Sequence, residues 1–373
     1  MVRPRSRPHG RSGESVGVPQ PPNHRSFFVP LNVIHVGLGG WGGNWAQIAI
    51  PRVPDVEVVG VVDIDADTRT SVLKAIKRPE LPGFASLGEA LAVVDADAVV
   101  ITAPAVTHVP LALEALDAGK HVLVEKPFAN TAEEAAVAVR RAAEKNLVMQ
   151  VSQNYRFYPA PRAVQRLLAA GELGELSAIN IDFRQWDNDA AYAANRHYKF
   201  PHPLINDMAI HHFDLLRKVT GQEAVSVYAK VGDPSFSKFD EEASAVIVIE
   251  LESGLVVSYR GSWVSRGTPT AWAGEWAIDG EKGQIEFTSR LGDNPAGDRV
   301  SLRRPEGKPV AVDLEDMPLW GRSAGLQHFA QAIAAGTVPE TAGAGNLGSL
   351  ALMEAAARSA ASGRTESVVI PMV

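Results

Sequence analysis

The sequence predicts an α/β protein in two parts, a doubly wound parallel sheet followed by an α+β domain with an open, mostly antiparallel sheet. From Leu31, short Val/Ile-rich runs alternate with helix-like segments, and a glycine-rich turn follows the first run. Beyond residue 153, apolar and polar residues alternate in runs separated by turn residues. We expect domains over 31–152 and 153–373, after a disordered leader, 1–30, rich in Arg, Pro, Gly and Ser.

The composition excludes several classes of function. The 373 residues are 46% apolar and 21% charged, as in globular proteins, and the net charge of −7 argues against nucleic acid as a partner. The chain has no cysteine, which excludes disulfides, thiolate nucleophiles and Cys-ligated metals. No apolar run reaches the ~18–20 clean residues that a membrane span needs, and the leader lacks the apolar segment of a secretory signal. We therefore expect a cytoplasmic protein without a membrane partner.

The first part reads as a repeated strand–helix unit. The strand-like runs are NVIHVG, VEVVGVVD, ADAVVITA, HVLVEK and LVMQVS, and the helix-like segments between them are GLGGWGGNWAQIAI, ADTRTSVLKAI, THVPLALEALDAG and TAEEAAVAVRRAAEKN. Near-continuous Val/Ile strands are typical of a parallel sheet covered by helices on both faces. Thr131 and Glu134 have the spacing of a capping box at the start of the last of these helices.

The glycine turn has the pattern of a dinucleotide-binding Rossmann domain. In Gly37-x-Gly39-x-x-Gly42 the three glycines serve, in order, the tight turn, the close approach of a pyrophosphate and the packing of helix on strand. We expect the helix N-terminus to bind the phosphates, with Gly40 and Trp41 in the same site. Asp63 follows about 20 residues on, where a carboxylate binds a ribose 2′-hydroxyl and repels a 2′-phosphate. The sequence thus favours NAD over NADP.

Further cofactor contacts are expected where the later strands end, because the ligand crevice of such sheets lies at the carboxyl ends of the strands. Five residues follow the third and fourth long runs and are assigned to the cofactor site with Lys126: Thr102, Ala103, Pro104, His108 and Glu125. We interpret His108 as the first residue of a helix rather than as a catalytic group.

Together, the glycine motif, Asp63, TAPAVTH and Glu125-Lys126-Pro127 resemble the glucose–fructose oxidoreductase/inositol 2-dehydrogenase (Gfo/Idh/MocA) family over essentially all of 31–373. The resemblance implies that Lys126 touches the reacting substrate hydroxyl. It also implies a homodimer or homotetramer formed through the open sheet.

The chemistry of alcohol oxidation independently suits Lys126. An ammonium stabilises the alkoxide that develops as hydride leaves, and a partly desolvated lysine near the nicotinamide cation could relay protons. Glu125 could balance the charge of this lysine or bind ribose. Pro127 fixes the backbone beside the lysine, and we expect the Lys126–Pro127 bond to be cis, since cis prolines gather in rigid sites.

The second part contains strand-like runs in SAINIDFRQW, AVSVYAKV, ASAVIVIELESGLVVSYRGSWV, EWAIDGEKGQIEF and RVSLRRP. Turn signals at Ser253-Gly254 and Lys282-Gly283 predict two hairpins. The Ala-rich segment 322–361 is expected to be helical and to pack back on the first domain.

A second group of chemically active residues lies in PLINDMAIHHFDLLRKVTG. On a helix, Asp207, His211, Asp214 and Lys218 form one polar stripe, while His212 lies on the adjacent apolar stripe. A carboxylate four residues before His211 could orient it as a general base. The family resemblance implies that Asp207 binds a substrate hydroxyl and that His211 takes the proton.

Two qualifications apply to this segment. The family usually has a Gly-rich run before this aspartate, whereas this chain has FPHPLIN, so the identity of the substrate cannot be transferred. A metal site built from both histidines and both aspartates is disfavoured, because adjacent side chains on a helix point about 100° apart. We therefore expect no metal.

The substrate site is predicted to include Tyr155 and Arg156 beside Lys126, Asp207 and His211, because these two residues follow the last Rossmann strand. The predicted function is NAD-dependent oxidation of a CH–OH group in a sugar, polyol or sugar derivative. Two alternatives stay open: a glycosidase that uses NAD transiently through oxidation, elimination and re-reduction, and a non-catalytic regulator that senses NAD or a sugar.

Overall fold

The computed structural model describes residues 30–292 and 294–373. Apart from Pro30, the predicted leader lies outside the described residues. The structure confirms the predicted fold class, since the described chain forms one wholly parallel sheet and one mixed, mostly antiparallel sheet.

The first sheet has six strands, all parallel to their neighbours. They are Leu31–Val36 (β1), Val56–Val62 (β2), Gly83–Phe84 (β3), Ala98–Ile101 (β4), His121–Val124 (β5) and Met149–Val151 (β6). The strand order is β3-β2-β1-β4-β5-β6, so the chain reverses direction across the sheet between β1 and β4. This reversal opens a crevice at the carboxyl ends of the strands, where ligands of doubly wound sheets bind.

Helices cover both faces of this sheet. Those within the first part are Gly40–Asn44 (α1), Ala66–Ala75 (α2), Leu87–Leu91 (α3), His108–Asp117 (α4) and Ala132–Glu144 (α5). The helix after the glycine turn continues from α1 through a π-helical turn, Trp45–Ala49, and a 3₁₀ turn, Ile50–Arg52. Thr131 caps α5 by accepting a hydrogen bond from the Glu134 N–H (3.1 Å), whereas the Glu134 carboxylate returns to the N–H of Asn130. Only half of the predicted capping box therefore forms.

The second sheet contains nine strands among the described residues. They are Leu176–Arg184 (β7), Ala224–Gly232 (β8), Ser244–Leu251 (β9), Val256–Ser262 (β10), Glu275–Gly280 (β11), Gly283–Thr288 (β12), Arg299–Arg303 (β13), Val310–Ala311 (β14) and Glu366–Ser367 (β15). In the order β14-β13-β12-β11-β7-β10-β9-β8-β15 only β7 and β10 run parallel. Both predicted hairpins form, between β9 and β10 and between β11 and β12.

Four longer helices join the two sheets: Pro159–Ala169 (α6), Ile210–Thr220 (α7), Gly321–Ala335 (α8) and Gly343–Ser362 (α9). Leu326 and Phe329 of α8 share a buried core with Val33 of β1 and Trp45, so the C-terminal segment does pack on the first sheet. Helix α9 lies between α5 and strand β8. The opposite face of the second sheet carries exposed residues such as Val246 and Val248. No helix in the described part of the chain is long and apolar enough to cross a membrane.

Candidate active site

The glycine turn after β1 has the geometry that its sequence predicts. Gly37 has φ +84°, and a Cβ there would lie 2.5 Å from the backbone of Ala103. A Cβ on Gly42 would lie 1.8 Å from the Gly37 carbonyl oxygen, so the helix can approach the turn only because this residue has no side chain. Around Gly39 and Gly40 a Cβ would meet nothing within 4 Å. The turn is thus closed on the protein side and open where a diphosphate would approach.

A cleft of about 460 Å³ extends from this turn to the start of α2. Its lining includes Gly39, Gly40, Asp65, Asp67 and Thr68.

Asp63 lies at the end of β2, next to the turn. Its carboxylate accepts hydrogen bonds from the N–H of Leu38 (2.7 Å) and of Asp65 (3.0 Å). The guanidinium of Arg69 donates a hydrogen bond to the backbone carbonyl of Asp63. The Asp63 carboxylate therefore holds the glycine turn through the Leu38 N–H. It also lies at the position expected for a ribose contact.

Glu125 is a buried carboxylate with four donors. Its Oε1 accepts from the indole N–H groups of Trp41 (2.8 Å) and Trp45 (2.7 Å) and from the Ser152 hydroxyl (3.2 Å), and its Oε2 accepts from the Lys126 N–H (2.9 Å). These contacts link the ends of β5 and β6 to the helix after the glycine turn. The geometry therefore favours a positioning role for Glu125 over the predicted contact with ribose.

Trp41 lies at the open side of the turn. Its side chain is 45% exposed, with the Arg322 guanidinium 4.2 Å from the ring centroid. Of the predicted cofactor residues after β4, Ala103 is half-buried and Pro104 is exposed.

Thr102 and His108 lie beneath the crevice rather than along it. The Thr102 hydroxyl donates to the Gly37 carbonyl (2.6 Å) and is contacted by His35 Nε2 (2.8 Å). The buried ring of His108, which begins α4 as predicted, lies 2.8 Å from the carbonyl oxygens of both Ala103 and Pro127. Both side chains hold crevice loops in place, so the structure does not support their assignment as direct cofactor ligands.

Lys126 lies at the junction of the two parts of the chain. Its Nζ is 2.7 Å from Asp207 Oδ1 and 2.8 Å from the Asp207 carbonyl oxygen, and the lysine side chain is 14% exposed. The Lys126–Pro127 bond is cis, which confirms the sequence prediction. Burial alone would raise the pKa of Asp207, but Lys126 and His197 outweigh it and hold that pKa well below its usual range. Asp207 is therefore ionised at neutral pH.

The segment that presents Asp207 is not a regular α-helix. Residues Pro203–Ala209 form a π-helical turn before α7, entered through His202 with φ +44°. The Trp263 indole donates to the Pro203 carbonyl (3.2 Å) and anchors this turn to the second sheet.

His211 begins the part of α7 that faces Lys126 and Arg290. The ring stacks on Tyr155 with centroids 4.0 Å apart and planes 3° apart. Its Nδ1 is buried without a hydrogen-bond partner among the described residues, so the predicted orienting bond from Asp207 is absent there. Burial first, and then the charges of Lys126 and Arg290, hold the pKa of His211 well below its usual range. The ring is neutral at neutral pH and able to accept a proton.

The rest of the predicted polar stripe points elsewhere. Asp214 is buried and forms a two-pronged ion pair with Arg156 (2.6 and 2.7 Å), while Lys218 pairs with Glu340 (2.5 Å). The Arg156 guanidinium is committed to a buried carboxylate on α7, a geometry that disfavours the predicted substrate contact. His212 packs in the core against Tyr259, as expected.

A histidine–carboxylate group does meet elsewhere in the described chain, at His202, Glu241 and Glu242. These side chains are only partly buried, and nothing at them points to an ion.

His197 was not assigned to the site from the sequence, and the structure places its ring within ion-pair distance of Asp207. Its Nε2 is 3.4 Å from Asp207 Oδ2 and its Nδ1 is 2.9 Å from Asp187 Oδ2. The only signal was its place among several aromatic residues before the DMAIH segment, which does not distinguish a site residue from a core residue.

The glycine turn is open to a diphosphate, and the mixed-sheet domain brings Asp207 and His211 close to Lys126. These features define the class of two-domain, NAD-binding oxidoreductases. The chain belongs to the Gfo/Idh/MocA oxidoreductase family. Residues 31–153 match the family's NAD-binding Rossmann domain, and residues 162–286 match its C-terminal domain.

Relatives with assigned activities are similar over much of the chain. Inositol 2-dehydrogenase of Arthrobacter sp. (strain FB24) is 30% identical over 230 residues, covering 61% of this chain and 65% of the relative. The scyllo-inositol 2-dehydrogenase (NAD⁺) of Bacillus subtilis is 26% identical over 312 residues, covering 82% and 86%. Among solved structures, an oxidoreductase from Agrobacterium radiobacter in complex with NAD⁺, L-tartaric acid and magnesium has a TM-score of 0.80 at 23% identity, covering 91% of this chain and 99% of that one.

Proposed function

We propose that this protein is an NAD-dependent dehydrogenase that oxidises a CH–OH group of a sugar, polyol or sugar derivative. The observation that carries the proposal is the contact between Lys126 and Asp207, with a buried, neutral His211 near enough for the charge of Lys126 to lower its pKa. An ammonium can stabilise a developing alkoxide, and a neutral imidazole can accept the hydroxyl proton, so these groups suit alcohol oxidation. The inositol dehydrogenases among its relatives support a polyhydroxylated substrate.

The residues around the glycine turn fit a dinucleotide. The open space at Gly39 and Gly40 leaves room for a diphosphate at the N-terminus of α1, where backbone N–H groups attract anions. The candidate ligands along this crevice are Gly37, Trp41, Asp63, Ala103 and Pro104, with Lys126 at the reacting end. The carboxylates of Asp63, Asp65 and Asp67 favour NAD, because they would repel the 2′-phosphate of NADP. When bound, the nicotinamide ring supplies the hydride acceptor.

The protein residues then manage charge and protons. The Lys126 ammonium stabilises the negative charge that develops on the substrate oxygen. His211, kept neutral by burial, accepts the hydroxyl proton, while Asp207 fixes the ammonium and offers a hydrogen-bond acceptor to a substrate hydroxyl. Tyr155 holds the imidazole plane by stacking and completes the wall of the site.

The test begins with thermal unfolding of the full chain with NAD or NADP. A dinucleotide at ~100 times its Kd should add about 2.7 kcal/mol of stability. NADH formation is then followed across a panel of polyols and sugars. We expect Lys126→Ala or His211→Ala to lower kcat by about 10²- to 10⁴-fold while NAD still binds.

The matched control is Lys120→Ala, which changes a lysine next to the opposite end of the same strand, β5, and should leave turnover unchanged. Near-normal rates in both site variants would refute the assignment. Cleavage of an aryl glycoside without net NADH would instead favour the transient-oxidation glycosidase, and binding without turnover would favour the regulator.

We further propose that the protein is a homodimer or homotetramer formed through the open face of the second sheet. Val246, Val248 and Val256 on this face are 54%, 42% and 49% exposed. Val246 and Val248 are neighbours on β9, and Val256 lies diagonally across on β10, where it faces Glu250. Exposed apolar side chains grouped on a sheet surface are typical of a contact between subunits.

A further inference from the structure

His197 lies between the carboxylates of Asp187 and Asp207, and Asp207 in turn contacts Lys126. Nδ1 is hydrogen-bonded to Asp187 Oδ2 (2.9 Å), whereas Nε2 lies within ion-pair distance of Asp207 Oδ2 (3.4 Å) without the geometry of a hydrogen bond. The remaining oxygen of Asp207 contacts Lys126 Nζ. The four side chains thus form a line of alternating charge from Asp187 to Lys126, provided that the imidazole carries a proton on both nitrogens.

The protonation state follows from the chemistry of the ring. A neutral imidazole has one N–H and one lone pair, so between two carboxylates its lone pair would face a negative oxygen. The imidazolium has two N–H groups and suits both neighbours. Burial would lower the pKa of His197, but Asp207 and Asp187 outweigh burial and raise it. Arg196 and Lys199, on the same turn, are exposed.

The ring is also held in one plane. Trp263, Phe239 and Phe200 meet it edge-on, with centroids 4.6, 5.2 and 5.5 Å away and interplanar angles of 87°, 83° and 83°. These neighbours are uncharged, so the electrostatic partners of His197 are Asp187 and Asp207, with Lys126 beyond the latter.

Asp187 is fixed in turn by Asn195. The side-chain N–H₂ of Asn195 donates to both oxygens of Asp187 (3.1 and 3.3 Å). The side-chain oxygen of Asn195 accepts a hydrogen bond from the backbone N–H of His197 (3.0 Å). Asp187, Asn195 and His197 therefore link the loop after β7 to the turn Arg196–Lys199, and His197 extends this link to Asp207.

We propose that His197, oriented by Asp187, is a positioning residue that holds Asp207 ionised and aimed at Lys126. This proposal rests on the proposed function, because it assigns His197 to the same reaction. Its effect is geometric: a carboxylate held on both sides keeps the ammonium where the substrate oxygen will lie. Displacement of a reacting group by about 1 Å can cost roughly 10²-fold in rate.

The charge of the bridge is tested without substrate. In full-length protein labelled with ¹⁵N-histidine, the His197 signal is assigned by its absence in His197→Gln. We expect the titration midpoint of His197 to lie above that of an exposed histidine and to fall in Asp187→Asn. A midpoint at or below that of an exposed histidine overturns the proposal.

Positioning is tested by the reactivity of Lys126. Acylation of Lys126 by acetic anhydride, followed by peptide mass spectrometry against Lys120 as reference, should be faster in His197→Gln, because a released Asp207 frees the amine. Unchanged acylation contradicts the positioning role. This arm needs no turnover, so it is decisive even if no polyol is oxidised and the proposed function fails.

With the best polyol, we expect His197→Gln to lower kcat by about 10- to 10²-fold with the KM for NAD unchanged. The alkaline limb of the kcat profile that matches the His197 titration should also disappear. The matched control is His121→Gln, which alters another partly buried histidine near a carboxylate, Asp97, at the end of β5 away from Lys126. Unchanged kcat in His197→Gln, or an equal loss in the control, overturns the proposal.

Discussion

Glu125 illustrates how one side chain organises the crevice. Its two oxygens receive four hydrogen bonds, and the donors come from the helix after the glycine turn, from the end of β6 and from the next residue of its own loop. A carboxylate is acceptor-only, so it alone among similar-sized side chains satisfies all four donors. The sequence motif around Lys126 thus serves both parts of the site: the lysine for chemistry and the glutamate for assembly.

In Glu125→Gln one carboxylate oxygen becomes an amide N–H₂, which cannot accept a hydrogen bond from the N–H or hydroxyl groups around it. We expect the free energy of unfolding to fall by about 1–3 kcal/mol, the usual cost of an unmatched buried polar group. Urea unfolding measures the loss. Glu133→Gln, in the exposed first turn of α5, is the control and should change stability by less than about 0.5 kcal/mol. Equal effects in the two variants would contradict the role of Glu125.

Two buried histidines give the stability of the protein a defined dependence on pH. Burial lowers the pKa of His35 and of His212 to about 4, against about 6.5 in the unfolded chain. Their stabilising contribution is present above pH 6.5 and is lost as the pH falls through 4, with a slope of up to about 1.4 kcal/mol per pH unit for each ring. His197, whose pKa is raised, has the opposite sign.

Chemical unfolding between pH 7 and pH 4 should therefore show decreasing stability. In His35→Asn the change of the free energy of unfolding with pH should be smaller, by up to about 1.4 kcal/mol per pH unit, because one of the two buried imidazoles is gone. This comparison of slopes does not depend on the absolute stability of the variant. An unchanged slope in that variant would show that His35 is protonated in the folded protein.

At the scale of elements, near-continuous Val/Ile runs correctly predicted the long strands of the first sheet, and alternation of apolar and polar residues predicted those of the second. The glycine spacing also predicted the turn after β1. Periodicity failed at Pro203–Ala209, because it assumes 3.6 residues per turn and this segment is π-helical. Of the predicted stripe, only Asp207 lies in this turn. Within the regular helix α7 the stripe also divides, because His211 stacks on Tyr155 whereas Asp214 pairs with Arg156. The bridge from Asp187 to Asp207 was also beyond a sequence reading, since its members come together only through folding.

Two glycines of the turn should behave differently when a methyl group is added. Gly42→Ala should destabilise the fold, because its Cβ would lie 1.8 Å from the Gly37 carbonyl oxygen. Gly39→Ala has open space around its Cβ, so it should fold normally but lose the stabilisation by NAD. Thermal unfolding with and without NAD measures both effects. If Gly39→Ala keeps its full NAD response, the diphosphate does not lie against this turn.

At the scale of the whole molecule, the second sheet has one face with exposed valines in the described chain. Val248 lies on β9, the third strand from the β15 edge, opposite Ser258 on β10 and Tyr228 on β8. The sequence predicted this exposed face through regular alternation in β9, but alternation does not say what, if anything, covers it.

We expect Val248→Asp to convert the oligomer to monomer, because a carboxylate there would be buried without a partner at the subunit contact. Light scattering coupled to size exclusion gives the mass. The control is Val310→Asp, on the edge strand β14, where the valine is 66% exposed and far from the centre of the sheet. A wild-type monomer would refute the proposed assembly, and an oligomer that survives Val248→Asp would place the contact elsewhere.

The packing of α8 on the first sheet has a practical consequence for protein engineering. Leu326 and Phe329 complete a core begun by Val33 and Trp45, and Arg322 stacks on Trp41 beside the glycine turn. A fragment cut after residue 152 would therefore carry the full nucleotide motif yet expose bare apolar surface. Chimeras meant to exchange coenzyme modules should keep residues 321–335 from the same parent, even though these lie far beyond the module's apparent end in the chain.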